Sequence, residues 1–390
     1  MSIKLGIIGG GQLAWMMADA ANKLGVKLIV QTPSPNDPAV SIAQDSIFAA
    51  VDDAAATEIL ATKCDIITFE NEFVNLAALS LLEKQGVYFR PQLAALAPLL
   101  DKYEQRCYLR DLGLPVPHFL ALSAEQEQEK EIKSQIESLG FPVVVKARRH
   151  GYDGQGTFII ADFATLAKIV NQSHSQFLVE EFVPFQRELA IIAARSINGE
   201  IVIYPAVETC QENQVCRWVI APAKITKEQS LEIDAIANKL LNSLQYVGVC
   251  GIELFLTAEG KILVNEIAPR THNSGHFSLD ACETSQFEQH LRAVCGLALT
   301  NTTLNCASAV MVNLLGYESS HGDYQEQRQQ LADIPQATVH WYGKTEARPG
   351  RKLGHITVLL EQDNPNAIKD IIHKIESIWY PPDQICENFP

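Results

Sequence analysis

The spacing of apolar residues changes part-way along the chain, and this change restricts the possible folds more than any other feature. Residues 3–90 alternate short apolar runs such as IKLGIIG and KLIVQT with stretches of helical apolar periodicity. From residue 141 onward, strand-like runs such as FPVVVKA, FLVEEF and KILVNEIA follow one another across glycine-containing loops. The first pattern is typical of a parallel sheet with crossover helices, and the second of antiparallel sheets. We therefore expect an α/β region followed by an α+β region.

Two changes of pattern predict domain boundaries. Pro91 and Pro98 precede the helix-like segment DKYEQRCYLRDLG, which indicates a boundary near residue 100. After about residue 296, the strand-like runs SAVMVNLLG, ATVHWYG and HITVLLE precede a helical pattern near NAIKDIIHKIESI. We therefore expect three units, at 1–100, 101–295 and 296–390, of which the last is small, β-rich and packed on the second.

The composition is that of a globular protein and excludes several functional classes. The 390 residues include 31 basic and 46 acidic ones, and the net charge of -15 argues against sequence-independent nucleic-acid binding, which needs a basic surface. No apolar run reaches the roughly 18 residues of a membrane span, and the N-terminus matches a secretory signal poorly. Nine cysteines without a CxxC pair indicate reduced thiols. We expect a cytoplasmic protein that binds neither nucleic acid nor membrane.

A glycine loop lies between the first predicted strand and helix. Gly9, Gly11 and Ala14 fit the GxGxxA pattern of dinucleotide-binding proteins. That fingerprint also needs an acidic residue at the end of the second strand, where this chain has Gln31, so nicotinamide binding is disfavoured. Two interpretations stay open: the loop binds an anion at the helix N-terminus, or its glycines only permit a tight turn.

Two later segments suggest a nucleotide site. Lys146 ends an apolar strand and is followed by a glycine-rich loop at 151–156, and such a loop can close its backbone amides over phosphate oxygens. A surface hairpin with incidental basic residues is the alternative. The segment FLVEEFVPFQRE carries Glu180, Glu181 and Glu188, and its backbone leaves the strand near Val183. Backbone groups there could pair with an adenine edge and a carboxylate could accept ribose hydroxyls, although charged strand ends are common.

The strongest signal is a pair of carboxylates in the predicted hairpin GIELFLTAEGKILVNEIAPR. If Glu259 and Gly260 are the two central turn residues, Glu253 lies directly opposite Glu266, with Cβ atoms about 4.5–5.5 Å apart. Opposed carboxylates destabilise a sheet unless a cation lies between them, and their hard oxygens suit Mg²⁺. The alternative is that both face solvent. His272 and His276 are four residues apart, but no third zinc ligand is evident.

The order of these elements resembles the ATP-grasp superfamily. Within it, six segments are similar to the 5-(carboxyamino)imidazole ribonucleotide synthase family over nearly the whole chain: GGGQL (9–13), HGYDGQG (150–156), NEIAPRTHNSGH (265–276), SQFEQHLRA (285–293), MVNLLG (311–316) and WYGKTEARPGRKLGH (341–355). The resemblance implies an ATP-grasp fold with an N-terminal Rossmann-like parallel-sheet domain and a small C-terminal β-rich unit.

The resemblance also implies an activity. Such a ligase would use ATP, Mg²⁺ (or Mn²⁺) and bicarbonate to carboxylate the amine of 5-aminoimidazole ribonucleotide through carboxyphosphate in purine synthesis, and it would form a homodimer. Other ATP-grasp ligases, such as a formate-dependent ribonucleotide transformylase or a biotin carboxylase, would share the ATP half but are disfavoured by WYGKTEARPGRKLGH. A regulatory module without turnover is disfavoured because the expected catalytic side chains are present.

Site residues follow from the resemblance position by position. The expected nucleotide-binding residues are Lys102, Lys146, Gly151, Tyr152, Asp153, Gly154, Gln155, Gly156, Thr157, Glu180, Glu181, Phe182, Val183, Glu188, Gln211, Asn265 and Glu266. The expected magnesium ligands are Glu253 and Glu266. The expected catalytic residues are Asp153, Arg270, His272 and Asn273, of which the last three would face the bicarbonate and the carboxyphosphate. The expected ribonucleotide-binding residues are Gln12, Leu13, Glu70, Lys344, Arg351 and Lys352, with Arg348 in the same basic turn.

Four positions depart from the family's usual residues. They are Gln155 and Thr157 in the glycine loop, and Thr209 and Gln211 on a later strand. We expect the glycine loop to bind ATP more weakly than in the family. The resemblance does not support a direct nucleotide contact from the strand that carries Thr209 and Gln211.

Overall fold

The protein contains three β-sheets in the residues that the structure describes. The structure is a computed structural model and describes residues 2–122, 129–149, 156–172 and 176–385. The first sheet is parallel, the second and third are antiparallel, and the sheets follow one another along the chain. The predicted α/β and α+β fold class is therefore confirmed.

The first sheet has the strand order β3-β2-β1-β4 and is wholly parallel. Because β1 and β4 are neighbours, the loops that follow their carboxyl ends lie side by side. The strands are β1 Lys4–Ile8, β2 Lys27–Thr32, β3 Asp45–Phe48 and β4 Ile66–Phe69. The helices of this region are α1 Gln12–Trp15, α2 Ala18–Leu24, α3 Ala54–Ala61, α4 Leu76–Lys84 and α5 Leu93–Leu96.

The second sheet is small and antiparallel, in the order β5-β8-β6-β7. In its register Lys146 pairs with Leu178 and Val144 with Glu180, so the lysine and the glutamate share one face. The strands are β5 Phe119–Leu122, β6 Val143–Ala147, β7 Thr157–Ile160 and β8 Phe177–Glu181. The accompanying helices are α6 Lys102–Asp111, α7 Glu129–Leu139 and α8 Phe163–Gln172.

The third sheet has nine strands, in the order β14-β13-β9-β11-β12-β15-β17-β16, with β10 beside β9. The tail strands extend this sheet, because β12 pairs with β15. The strands are β9 Phe185–Arg195, β10 Ile201–Ile203, β11 Val207–Glu212, β12 Val215–Ala221, β13 Gly248–Thr257, β14 Ile262–Ala268, β15 Ser308–Leu315, β16 Ala337–Trp341 and β17 Lys352–Leu360. The helices are α9 Lys227–Leu244, α10 Ser278–Ala281, α11 Gln286–Cys295, α12 Gln325–Ala332 and α13 Pro365–Trp379.

Two helices show how the sheets are joined. Helix α9 begins at a capping box of Thr226 and Gln229 and buries apolar residues at helical spacing against the large sheet. Helix α11 buries Phe287, Leu291 and Val294 in the core of the first sheet. The N-terminal region is therefore packed directly onto the region that follows it. None of the described helices is both long and apolar enough to cross a membrane.

Candidate active site

A cleft of ≈ 2010 Å³ lies where the three sheets meet. Its lining includes every expected site residue that the structure describes, except Gly156. Five expected residues lie outside the described part of the chain, so their placement stays a prediction: Gly151, Tyr152, Asp153, Gly154 and Gln155. Two expected site residues that are 340 positions apart in the sequence, Gln12 and Lys352, thus share one cavity.

The β13–β14 hairpin pairs Glu253 with Glu266, as expected, although the expected turn is wrong. The loop has three residues instead of two, because Thr257 N–H donates to Lys261 O and Gly260 takes a positive φ of 81°. That loop alone would shift the register by one residue. A β-bulge compensates, because Leu254 pairs with Val264 while Glu253 pairs with Glu266.

Asn265 is the extra residue of this bulge, and its side chain joins the carboxylate pair. Asn265 Nδ2 donates to Glu253 Oε2 at 3.3 Å, while Asn265 Oδ1 accepts from Lys146 Nζ at 3.0 Å. Bulges redirect side chains in this way, since the regular alternation of faces is broken at the inserted residue. The bulge therefore gathers an amide and two carboxylates on one side of the hairpin.

The two carboxylates differ in their electrostatic surroundings. Burial, reinforced by the charge of Glu266, raises the pKa of Glu253 to about 7. Burial also acts to raise the pKa of Glu266, but the charges of Lys102 and Lys146 outweigh it, and the pKa lies below its ordinary value. Lys102 Nζ is 2.5 Å from Glu266 Oε2. Two carboxylates and an amide oxygen are hard donors of the kind that Mg²⁺ prefers, so the residues fit that ion.

Lys146 is held in place by a buried ion pair. Its Nζ lies 2.7 Å from Glu180 Oε2, and the other carboxylate oxygen of Glu180 accepts from Arg106 Nε. Burial would raise the pKa of Glu180, but Arg106 and Lys146 lower it to about 2. Burial lowers the pKa of Lys146. Because both Glu180 oxygens are engaged, its effect on a nucleotide would pass through Lys146.

The start of helix α6 carries Lys102 to the carboxylate pair. Asp101 caps this helix by accepting from the backbone N–H groups of Tyr103 and Glu104. The same carboxylate accepts from Arg148 Nε at 2.9 Å, and Lys102 N–H donates to Arg148 O at 2.9 Å. Arg148 follows β6, so these bonds attach the helix to the strand that carries Lys146.

The end of β8 and the start of β9 form the part of the cleft wall that carries the residues expected around the base and ribose. Phe182 is 38% exposed, whereas Val183 is buried and its carbonyl accepts from Phe185 N–H at 2.9 Å. Phe185 also stacks on Phe255 with ring centroids 4.7 Å apart. Both rings line the cleft, so this wall is more apolar than the sequence indicates.

Glu188 and Glu181 lie at the edges of the same wall. Burial, and then the charge of Glu253, raises the pKa of Glu188 to about 7. The backbone of Gln211 donates to that carboxylate, and Thr209 lies directly across from Glu188 in the sheet. Glu181 Oε1 accepts from His118 N–H at 3.0 Å.

Arg270, His272 and Asn273 follow β14 and reach the cleft. Arg270 Nη2 lies 2.8 Å from Glu72 Oε1, whereas its buried Nε has no hydrogen-bond partner among the described residues. His272 Nδ1 is 2.8 Å from Ser274 Oγ, and His272 Nε2 is 3.4 Å from Glu253 Oε1. The histidine therefore links this segment to the carboxylate pair. His276 is directed elsewhere, with Nδ1 3.1 Å from Gln286 Nε2.

The amide of Asn273 is engaged with a residue of the tail. Its Nδ2 donates to Asn313 Oδ1 at 2.9 Å, and Asn313 Nδ2 donates back to Asn273 Oδ1 at 2.8 Å. Asn313 is fully buried on β15. These two reciprocal hydrogen bonds between the amides fix the loop after β14 against the tail strands.

The glycine loop after β1 receives a carboxylate of the chain itself. A Cβ atom at Gly9 or Gly11 would collide with the side chain of Glu70, and Leu13 N–H donates to that carboxylate. Partial burial raises the pKa of Glu70 to about 7, although Arg270 acts against it. The glycines thus make room for Glu70. Gln31, where a dinucleotide-binding protein needs an acidic residue, donates to Ala50 O and Asp53 O.

The basic turn of the tail contacts the first α/β region. Lys344 Nζ donates to Gln12 Oε1 and to Lys352 O, each at 2.7 Å. Arg351 Nη1 donates to Glu346 O at 2.8 Å. The turn is therefore in direct contact with Gln12, and both line the cleft.

Comparisons with known proteins agree with this arrangement. The ribonucleotide synthetase preATP-grasp domain matches residues 2–98, the ATP-grasp domain 107–287, and the phosphoribosylaminoimidazole carboxylase C-terminal domain 309–368. An N5-carboxyaminoimidazole ribonucleotide synthase of Synechococcus elongatus is 54% identical over 97% of this chain and 96% of its own. The chain belongs to the N5-carboxyaminoimidazole ribonucleotide synthase family. The predicted ATP-grasp fold, ligase class and family are confirmed. The predicted ATP-dependent conversion of 5-aminoimidazole ribonucleotide to 5-(carboxyamino)imidazole ribonucleotide in purine biosynthesis is also confirmed.

Solved structures of the same family superpose over nearly the whole chain. An ATP complex of the carboxyaminoimidazole ribonucleotide synthase from Aspergillus clavatus has a TM-score of 0.90 at 30% identity, covering 99% of both chains. The complex of the synthase from that fungus with ADP and 5-aminoimidazole ribonucleotide has a TM-score of 0.88 at 29% identity, covering 97% of this chain and 98% of the other.

Sequence reasoning missed several residues that support this synthase site. Arg106 follows Lys102 by four positions and so lies on the same helix face, which is a signal that could have been used. Asn313 is a single amide in the apolar strand SAVMVNLL, and unpaired polar residues at such positions usually need a partner. Glu72 gives no comparable signal, because its partner Arg270 comes from a distant segment. The bond between Asp101 and Arg148 could not be predicted for the same reason.

Proposed function

We propose that this synthase takes the carboxyl group from bicarbonate, which ATP activates as carboxyphosphate, and attaches it to the exocyclic amine of 5-aminoimidazole ribonucleotide. The observation that carries the proposal is the convergence of the carboxylate pair, two lysines and a basic turn in one cleft. The names and bound ligands of the related synthases support it.

In the nucleotide half, Lys102 and Lys146 bind the phosphates of ATP. Both ammonium groups are already held by carboxylates, at 2.5 Å and 2.7 Å, so little ordering is needed on binding. The resemblance implies that residues 151–157, of which the structure describes only Gly156 and Thr157, close over the phosphates. Glu181, Phe182 and Val183 border the adenine, while Glu188 and Gln211 border the ribose, and Glu180 acts through Lys146.

Glu253 and Glu266 hold Mg²⁺ (or Mn²⁺), with Asn265 beside them. When bound, the ion would neutralise charge on the phosphate oxygens of ATP. The raised pKa of Glu253 indicates that this carboxylate lacks full cationic compensation in the protein alone. Lys102 forms an ion pair with Glu266, the other carboxylate of the pair. The chain therefore keeps the two carboxylates close when no metal ion is bound.

Arg270 and His272 hold bicarbonate and the carboxyphosphate formed from it. An arginine binds a planar oxyanion through parallel N–H groups. Arg270 Nη2 pairs with Glu72, and its Nε has no hydrogen-bond partner in the described part of the chain. Donors held in place before the reaction stabilise charge that develops on the transferred group. Asn273, locked by Asn313, orients this segment, and Asp153 is proposed to act on the same intermediate.

The ribonucleotide lies between the basic turn and the first α/β region. Lys344, Arg351 and Lys352 bind its phosphate, because clustered basic groups favour a dianion in an otherwise acidic protein. Gln12, Leu13 and Glu70 border it from the other side. We also propose a cytoplasmic homodimer built from units at 1–100, 101–295 and 296–390.

Phosphate release from ATP tests the proposal. The expected result is release that requires bicarbonate and rises when 5-aminoimidazole ribonucleotide is added, with one carboxylated product per phosphate. Replacing bicarbonate by formate should give no product. Phosphate release that depends on formate, or that is unchanged when 5-aminoimidazole ribonucleotide is added, would contradict the proposal.

A further inference from the structure

Arg106 is a buried arginine next to the cleft but outside its lining. It is 2% exposed, lies on helix α6 one turn after Lys102, and is absent from the described cleft residues. A buried guanidinium is costly unless its N–H groups are paired. Its partners therefore indicate its task.

Those partners lie on two strands that both carry cleft residues. Arg106 Nε donates to Glu180, the carboxylate that holds Lys146. Arg106 Nη1 donates to Val264 O at 3.0 Å, and Nη2 donates to Asn265 O at 2.6 Å. One side chain thus joins helix α6 to β8 and to the bulge of β14.

One carbonyl belongs to Asn265, the extra residue of the bulge, and the other belongs to Val264, the residue before it on this edge strand of the sheet. A bulge leaves its extra residue outside the regular ladder, so the backbone groups there need other partners. Arg106 supplies them with two nitrogens of one planar group. The bulge is also the feature that turns both Asn265 and Glu266 toward Glu253.

We infer that Arg106 is a positioning residue that sets the bulge and thereby the placement of the metal-binding carboxylates and Lys146. This inference rests on the proposed function, because the positioned groups are those that would bind Mg²⁺ and ATP. An arginine suits the task because its fork of donors reaches three acceptors at fixed angles. A lysine at the same place carries the charge without the fork.

The consequence concerns the nucleotide half of the cleft. Groups that orient metal ligands typically change metal affinity by about 10- to 100-fold when they are removed. The basic turn that borders the ribonucleotide has no bond to Arg106 among the described contacts. The apparent Km for 5-aminoimidazole ribonucleotide should therefore change by less than about 3-fold, within the spread of indirect effects.

Arg195 offers a matched control. It is 6% exposed, and it donates to Tyr246 O at 3.2 Å and to Gln245 Oε1 at 2.9 Å. It is outside the described cleft lining. Arg195→Met therefore removes an equally buried arginine with comparable hydrogen bonds and leaves the bulge intact.

The experiment measures binding of a non-hydrolysable ATP analogue by calorimetry over a series of Mg²⁺ concentrations, with wild type, Arg106→Met, Arg106→Lys and Arg195→Met. We expect Arg106→Met to require about 10- to 100-fold more Mg²⁺ for half-maximal enhancement of binding. Arg106→Lys should recover only part of this loss, and Arg195→Met should keep the wild-type Mg²⁺ dependence while losing thermal stability.

An unchanged Mg²⁺ dependence in Arg106→Met, with a loss of thermal stability like that of Arg195→Met, would overturn the inference. If Arg106→Met does not fold, Arg106→Lys provides the same comparison. Because the readout is binding, it needs no turnover. If binding of the analogue to the wild type does not depend on Mg²⁺, the proposed function is contradicted. If wild-type binding depends on Mg²⁺ and the Arg106 variants show the same dependence, only the role of Arg106 is contradicted.

Discussion

The two halves of the cleft hold their charges in different ways. On the nucleotide side, Lys146 and Glu180 are buried and paired with each other, and the structure fixes them before any ligand binds. On the ribonucleotide side, Arg348 is exposed and Arg351 is half-buried, and both lie on a turn. Buried charges can be held only in complete networks, whereas charges on a turn can be solvated until a ligand arrives. Substitutions on the two sides should therefore have different consequences.

The largest effect is expected at the carboxylate pair. Glu266→Gln removes one proposed metal ligand and the partner of Lys102, so turnover should fall by about 1000-fold or more, because metal stabilisation of transferring phosphates is worth several kcal/mol. The measurement is turnover as a function of Mg²⁺ concentration, with circular dichroism to check the fold. An unchanged Mg²⁺ dependence would remove Glu266 from the metal site.

The second-largest loss of turnover is expected on substitution of Arg270. Arg270→Ala should keep its affinity for a non-hydrolysable ATP analogue while losing about 100-fold or more in bicarbonate-dependent turnover, because one donor to a developing oxyanion is worth that much. Glu72→Gln is the control, since it breaks the ion pair but keeps the arginine. If Arg270→Ala instead lost thermal stability and ATP affinity together, the arginine would serve only as the partner of Glu72.

Glu70 allows a test by pH. Its pKa is raised from 4.5 to about 7, so the wild-type folded state binds its proton more tightly than the unfolded state. The resulting stability is fully present below pH 4.5 and is lost as the pH rises through about 7. Glu70→Gln should therefore match the ligand-free wild type at pH 5 and exceed it by about 2 kcal/mol at pH 8, after allowance for solvent screening. Equal differences in unfolding free energy at both pH values would show that Glu70 does not titrate in this range.

The smallest effect of a substitution is expected in the basic turn of the tail, at Arg351. Arg351→Ala should raise the apparent Km for 5-aminoimidazole ribonucleotide by about 10-fold and leave that for ATP unchanged, since a charged hydrogen bond from a partly solvated arginine is worth about 1.5 kcal/mol. Arg110→Ala, which removes an exposed arginine outside the described cleft lining, is the matched control. Equal changes in both Km values would assign the turn to folding or to ATP binding.

The same contrast explains what the sequence could predict. Glu253 and Glu266 could be paired because strand alternation and a turn signal are local, although the register is right only because the bulge at Asn265 offsets the longer loop. Helical spacing could have placed Arg106 on the same face as Lys102, but its role could not be predicted, since its partners are two backbone carbonyls and a carboxylate 74 positions away. The glycine loop stayed ambiguous for a related reason: its occupant, Glu70, comes from the end of another strand.

The central claim is that one cleft couples ATP cleavage to carboxylation through carboxyphosphate. The most direct test supplies ¹⁸O-labelled bicarbonate together with ATP and 5-aminoimidazole ribonucleotide, and analyses the released phosphate by mass spectrometry. Attack of a bicarbonate oxygen on the γ-phosphorus leaves that oxygen on phosphate when carboxyphosphate breaks down. The account predicts one ¹⁸O atom in each phosphate formed with product, and phosphate that carries no label would contradict it.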